Sequence, residues 1–349
     1  MKTKILILLA FLIILNTCKD GITNPPEPEP GRRDYVWKVD TLDMPMNLIS
    51  SVWGSSPNDV WVVGAGGDSE NRLLHFDGTS WETYNKEYIN CTGRTLWGFS
   101  NKNIWMGGNT DGRIWHYDGN QWSENFRYVV EGAYNVGIAD IWGLYWNDIY
   151  ACGIISYNAG GSDSWRGFVL HYDGTSWKEI VQANYNSQFL KIRKEQNELY
   201  VFSYSLDKNI SSNDTITFLK IRENEFQKIY SNSSENIYWG NLTVINKAVY
   251  FLIDQDVYKY KDGNFVKQFS FKHPNFGYQF YGRHEKDIFL RMRDGLAHYN
   301  GFDIQYMFNF PLNMISIIHE PMIFEKEIFF CLWEASYGRN MILHGKLKE

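Results

Sequence analysis

Five histidines, His75, His116, His171, His298 and His344, sit at one position of a recurring stretch, as in LLHFDGTSW (73–81), IWHYDGNQW (114–122) and VLHYDGTSW (169–177). Equivalent imidazoles are the raw material of a metal site, provided they can reach one ion. Arg72, Arg113, Arg291, Arg293 and Arg339 offer a second chemistry, the clamping of an anionic substrate, with paired carboxylates as acid and nucleophile or base. Nothing in their spacing shows convergence. The thiols are less promising: beyond Cys18 the chain has Cys91, Cys152 and Cys331, an odd number with no CxxC or Cys/His spacing for zinc. At most one disulfide can form among these three, and each is read as small, buried apolar packing.

Whether any of these groups can meet depends on the elements that carry them. Composition favours strands and turns, with 23 Tyr, 22 Phe and 14 Trp against 29 Gly and 9 Pro. The recurring stretch belongs to a longer unit, SSVWGSSPNDVWVVG…LLHFDGTSWETY, then RTLWGFSNKNIWMGG…IWHYDGNQWSENF, then ADIWGLYWNDIYACG…VLHYDGTSWKEI. Each unit reads as four short strands separated by turn signals. The first apolar residue of the second strand falls at Val60, Ile104, Ile149, Leu199, Val249, Ile288 and Ile328, steps of 44, 45, 50, 50, 39 and 40 residues. That period predicts an all-β fold, a seven-bladed β-propeller of four-stranded antiparallel blades.

A second count uses the outer strand, marked by Trp81, Trp122, Trp177, Phe226, Phe265 and Ile304. Only six outer strands follow residue 45, and the seventh unit ends after its third strand. The missing strand is assigned to DYVWKVD (34–40), with Trp37 in the place of Trp81, so that the N-terminal strand completes the last blade and removes a free edge. In such a ring the metal reading fails. With strands ~4.8 Å apart a third strand lies on the order of 15 Å from the axis, while ligands must approach one ion within ~2 Å. The histidines are read as hydrogen-bonded between strands or blades, and neither metal nor cofactor is expected.

The units WGSSPNDVWVVG and LHFDGTSW resemble the WG…NDVWAVG…ILHYDG.SW repeats of bacterial secreted β-propellers, loosely similar to kelch and sialidase-like propellers. The resemblance is specific over 48–180 and weak over 185–349. It implies a fold and a compartment but leaves the activity open, because the family spans many. Asp77-Gly78, Asp118-Gly119 and Asp173-Gly174 are hairpin turns, with Gly at positive φ and Asp capping the backbone. The D-G-T-S-W order departs from the Asp-box of sialidase-like propellers and carries no catalytic meaning. Trp53, Trp97, Trp142 and Trp239 are read as packing between blades.

The N-terminus points to export. Lys2 and Lys4 precede the apolar run ILILLAFLIIL (5–15), a signal-peptide core too short to span a bilayer comfortably. LNTC, ending at Cys18, resembles a bacterial lipoprotein box, in which cleavage before the cysteine frees it for acylation. The alternative is an ordinary secretory signal. The organisation expected is a lipoprotein signal peptide (1–17), a lipidated Cys18 with a Pro-rich tether (18–33), and the propeller (34–349). Lys19 and Asp20 lack the Asp immediately after cysteine that resembles an inner-membrane retention signal, so the bacterial outer membrane or cell surface is expected. Removing residues 1–17 moves the formal charge from −6 to −8, which excludes a nucleic-acid backbone as the expected partner.

In a propeller the turns between strands one and two, and three and four, share one face. Here they are short and repetitive. The irregular segments fall on the other face, where binding is expected: 153–168, 203–215, 65–72, 109–113, 291–294 and 333–340. Tyr157, Trp165, Arg166, Trp333, Tyr337 and Arg339 are the candidate ligand-binding residues, aromatic plates beside charge that suit a glycan or a peptide. The expected function is a membrane-tethered, non-catalytic recognition or scaffold propeller at the cell envelope, for glycan or protein partners. The alternative is a sialidase-like or other glycan-cleaving enzyme. Converging Arg or carboxylate side chains at the channel mouth would favour the enzyme, and an aromatic rim without them would favour binding.

Overall fold

The computed structural model describes residues 27–42, 48–65, 73–84, 92–159, 162–183, 186–205, 215–233, 240–311, 314–316 and 320–349. These form seven antiparallel sheets in a ring, a seven-bladed β-propeller. Blades one to six pair their four strands in chain order, and the seventh adds the N-terminal strand Tyr35–Thr41 to the edge of Arg339–Leu347. Trp37 pairs with Gly345, one residue after His344, just as Trp81 pairs with Phe76, one residue after His75. The closing strand therefore takes the expected register. An added Cβ at Gly345 would lie 2.4 Å from the Trp37 ring, so only glycine leaves room for it.

The chain ahead of that strand is also fixed. Gly31 N–H donates to the Lys286 carbonyl at 2.7 Å, and Arg33 donates to the carbonyls of His298 and Asp303 at 3.0 and 2.8 Å. Lys286 and Asp303 lie in the short turns of blade six, so the chain at Gly31 and Arg33 lies on the short-turn face.

Each second-strand marker named above is the second residue of its strand, from Val60 in Asp59–Ala65 to Ile328 in Glu327–Glu334. Seven strands of one type at one radius need a wedge of apolar residues between neighbours, which the aromatics supply. The Trp61 ring meets Trp122 of the next blade edge-on at 5.8 Å, and Trp105 meets Trp177 at 5.7 Å in the same geometry. All four rings are under 7 % exposed, and each such pair adds ~0.5–1.5 kcal/mol beyond the area it buries. The WG dipeptide works the same way: a Cβ on Gly98 would sit 2.7 Å from the ring of Trp53 in the preceding blade. Trp239 lies outside the described residues.

Two sequence expectations change. The segment 153–168 is not a loop: strands Asp148–Ala159 and Ser162–Tyr172 pair along their whole length as a long hairpin. The segment 333–340 likewise shrinks to a tight turn between Glu327–Glu334 and Arg339–Leu347. Residues 66–72 and 206–214 of the other irregular segments lie outside the described residues. No described helix is long and apolar enough to cross a membrane.

Candidate functional site

The histidines resolve first. Each Nε2 lies within hydrogen-bond distance of the first residue of the second strand of its own blade: Asp59, Asn103, Asp148, Asp287 and Glu327, at 2.7, 3.0, 3.0, 2.8 and 2.8 Å. The residue two positions further on packs its ring against the imidazole, from Trp61 on His75 at 4.3 Å to Phe329 on His344 at 4.0 Å. The Asp or Asn that opens the second strand, which reads in sequence as a turn signal, is thus also an acceptor, half-buried in most blades and buried at Asp287. In blade four Lys220 replaces histidine and pairs with Glu198 at 2.6 Å. No cluster of metal-ligating side chains occurs among the described residues. Burial pushes the Asp287 carboxyl up, but the bonds from His298 and Arg283 together outweigh it and hold it below its ordinary value. Asp59 and Asp148 are lowered against burial in the same manner, by His75 and by His171 with Lys194.

The chemistry that can meet lies on the axis. A cavity of about 930 Å³ is lined by the inner strands of all the blades, near the ends where those strands begin, and by the ends of second strands at Phe202, Tyr204, Arg291 and Arg293. Both sets of ends lie on the irregular face. Three residues before each WG glycine, or its equivalent, every blade contributes one polar side chain: Ser51, Thr95, Asp140, Lys191, Asn241, Gln279 and Glu320. Ordinary alternation would supply only these. Register shifts just ahead of them in blades one, two, three, four and six insert extra residues, among them Ser50, Arg94, Ala139, Leu190 and Tyr278, which line the cavity as well. A bulge re-aims a side chain that the pleat would send to the other face.

Part of this ring is a latch. Ser51 Oγ accepts from Leu96 N–H of the next blade at 3.0 Å, and Asp140 accepts from Ile192 N–H at 2.9 Å. Its charged members cross the channel. The inner strand of blade seven is broken into Met314–Ser316 and Met322–Ile323, and Glu320 extends from between the pieces to Lys191 at 2.7 Å and to Arg193, both in blade four on the opposite side. Arg193, 3 % exposed, also binds Asp140 of blade three. Burial pushes Glu320 up, yet Arg193 and Lys191 overcome this and hold it at about 2. Both carboxylates that line the cavity are thus paired with cations, but burial keeps the Asp140 carboxyl above its ordinary value while Glu320 falls below it. Burial lowers the guanidinium pKa of Arg94 and Arg291.

None of the six residues singled out in sequence lines this cavity. Tyr157, Trp165 and Arg166 lie on the long hairpin of blade three, with Arg166 5.4 Å over the Tyr157 ring. Trp333 packs against the core between blades seven and one, while Arg339 lies 4.7 Å over the exposed Tyr337 ring and 4.0 Å from Glu334. The two groups stay apart, on separate blades of the irregular face. Of the arginines weighed for an anion clamp, Arg291 and Arg293 line the cavity, Arg113 pairs with Glu124 at 3.1 Å away from it, and Arg72 lies outside the described residues. Arg94 was missed, though the x-x-W-G spacing of RTLWG marks its position. Cys152 and Cys331 are free and buried, burial pushes the Cys331 thiol up to about 12, and Cys91 and Cys18 lie outside the described residues.

No family model matches the chain, and no curated protein matches it. Solved structures do. A structure described as YCF48 bound to D1 peptide superposes with a TM-score of 0.59 at 14 % identity, covering 94 % of this chain and 100 % of the other. A catalytically inactive virginiamycin B lyase from Staphylococcus aureus with quinupristin gives 0.63 at 14 % identity, over 90 % and 100 %. The β-propeller domain of the Trilobed protease from Pyrococcus furiosus gives 0.54 at 8 % identity, over 87 % and 98 %. At such identities the likeness is one of fold: the chain is a β-propeller, and propellers of this shape include a peptide binder and a lyase.

Proposed function

We propose that the protein is a lipid-anchored, non-catalytic recognition propeller of the bacterial cell envelope, taking a segment of a protein partner into the mouth of its axial channel. The observation that carries the reading is the channel itself, a large cavity with charged, amide and aromatic walls whose two carboxylates are held in ion pairs. A hydrolase or lyase needs an acid or base free to exchange a proton with substrate. Asp140 and Glu320 are held to Arg193 instead. The arginines do not gather into a clamp, because Arg94 lies in blade two and Arg291 and Arg293 in blade six, across the ring. Anchoring rests on the sequence ending at Cys18, and the position of Gly31 and Arg33 on the short-turn face leaves the channel mouth on the opposite side. A peptide-bound neighbour of the same fold supports a protein partner over a glycan.

Two experiments test this. Radiolabelled palmitate should enter the full-length chain expressed in a Gram-negative host, and Cys18→Ser should abolish the label and move the protein to the soluble fraction; an unlabelled but membrane-bound chain would refute the anchor. The chain without residues 1–17 and with Cys18→Ser, incubated with peptide and glycan arrays, should retain ligands unchanged. Released product detected by mass spectrometry would refute the non-catalytic reading.

A further inference from the structure

The cavity is cationic in a chain that is not. Arg94, Lys191, Arg193, Arg291 and Arg293 face Asp140 and Glu320, an excess of three positive charges in a protein whose formal charge is −6. Lys191 and Arg193 account for the two carboxylates. Arg94, thrust inward by its bulge, has no ion pair or hydrogen bond among the described residues, and its guanidinium runs towards Gly137 of blade three. Arg291 Nη1 donates to the Gly277 carbonyl at 3.3 Å, and Arg293 is exposed. Placing the Arg94 guanidinium in a partly dry wall without an anion costs folding energy, so this side of the cavity is suited to an anion from outside.

A second observation concerns neutral groups. Asn241 and Gln279, on neighbouring blades, are 3 % and 8 % exposed, and both line the cavity. Asn241 Oδ1 accepts from Leu242 N–H and its amide turns towards the Tyr281 hydroxyl, while Gln279 Oε1 has no partner among the described residues. A buried amide oxygen of this kind calls for an N–H donor such as that of a peptide bond. The remaining wall is aliphatic and aromatic, with Leu190, Phe202, Pro321 and Met322, which suits amino-acid side chains better than the hydroxyl-rich faces of a sugar.

Building on the recognition reading above, we infer that the channel binds an acidic peptide segment, with carboxylates on Arg94 and on Arg293 across the ring, and a peptide N–H on Gln279. Cations on opposite walls select a chain with two separated carboxylates over a single compact anion. The volume, at the upper end of the ~300–1,000 Å³ range of small-ligand pockets, holds a short segment and not a folded domain.

The test uses the chain from residue 18 with Cys18→Ser against three arrays: hexapeptides with free C-terminal carboxylates, the same set as carboxamides, and neutral and uronate oligosaccharides. Retention should concentrate on peptides carrying two or more carboxylates, weaken steeply with salt, and fall at least tenfold in Arg94→Gln and in Arg293→Gln, with no change in Lys178→Ala on the outer strand of blade three. Arg293 is exposed, so its variant keeps the fold even if Arg94→Gln does not, and Arg94→Lys should restore part of the binding. Equal retention of neutral and acidic peptides, or of uronates alone, would overturn the acidic-peptide inference while leaving a recognition module standing. Retention that ignores both arginines, or no retention on any array, overturns it too. Cleavage of a bound peptide would overturn the recognition reading instead.

Discussion

Removing Asp140 tests the cross-channel network directly. Arg193 is 3 % exposed and holds Asp140 on one side and Glu320 on the other; Asp140 also accepts the Ile192 N–H. Asp140→Ala leaves a buried guanidinium short of one counter-charge and a backbone donor without its acceptor. Breaking a buried pair from one side costs about 3–5 kcal/mol. Glu320 stays in place, so the expected loss is at the lower end, about 3 kcal/mol, or a fall in Tm of roughly 4 °C, since an unfolding entropy of ~2.1 cal/mol/K per residue makes each kcal/mol worth about 1.4 °C in a chain of this length. Glu320→Ala, by contrast, removes a side chain that is 36 % exposed, and water screens what remains, so about 1 kcal/mol is expected. The double variant Asp140→Ala/Arg193→Met removes both buried charges and should recover to within ~1–2 kcal/mol of the parent. Urea titrations followed by tryptophan fluorescence read all three. Equal losses for Asp140→Ala and Glu320→Ala, or a double variant worse than Asp140→Ala alone, would refute the claim that Arg193 is the buried charge the network serves.

Further outcomes follow from the same structure. Trp37→Ala, which empties the notch over Gly345 in the closing strand, should cost about 2 kcal/mol by calorimetry and raise proteolysis ahead of residue 48; an unchanged Tm would mean the closing strand is not integral. Gly98→Ala places a methyl against the Trp53 ring and should cost about 1–3 kcal/mol, and Gly132→Ala, with open space around it, should cost about 1–2 kcal/mol through its positive φ alone. Asp59, Asp148, Asp287 and Glu320 all have folded pKa values below their ordinary ones. The unfolded chain therefore binds more protons in acid, so their contribution is full above about pH 4.5 and drains away as pH falls towards 2. Asp287→Asn should flatten the acid limb of a pH–stability curve, and a limb of unchanged slope would rule out the Asp287–His298–Arg283 cluster as its source.

The blade count was legible because it rests on local chemistry. Turn residues and strand alternation act over a few positions, so Val60, Ile104 and their successors mark second strands even where the rest of a unit has drifted. The closing register was legible for the same reason, since Trp37 had to fill the one outer strand left vacant. The hairpin of blade three was misread because Gly160 and Gly161, with Ser and Asp around them, signal a loop, while the flanking residues pair far enough to hold a ribbon.

The site was legible only as a face. Sequence placed binding on the irregular side, but the bulges that turn Arg94, Leu190 and Tyr278 inward follow from how each inner strand must twist to meet its neighbours, which no local pattern records. Nor does spacing reveal that Arg193 meets partners 53 residues before it and 127 after it. Periodicity is written into every unit and decides the ring. The channel is the product of closing that ring, which brings one strand from each of seven blades to a common axis, and only the tertiary structure decides which side chains arrive there facing one another.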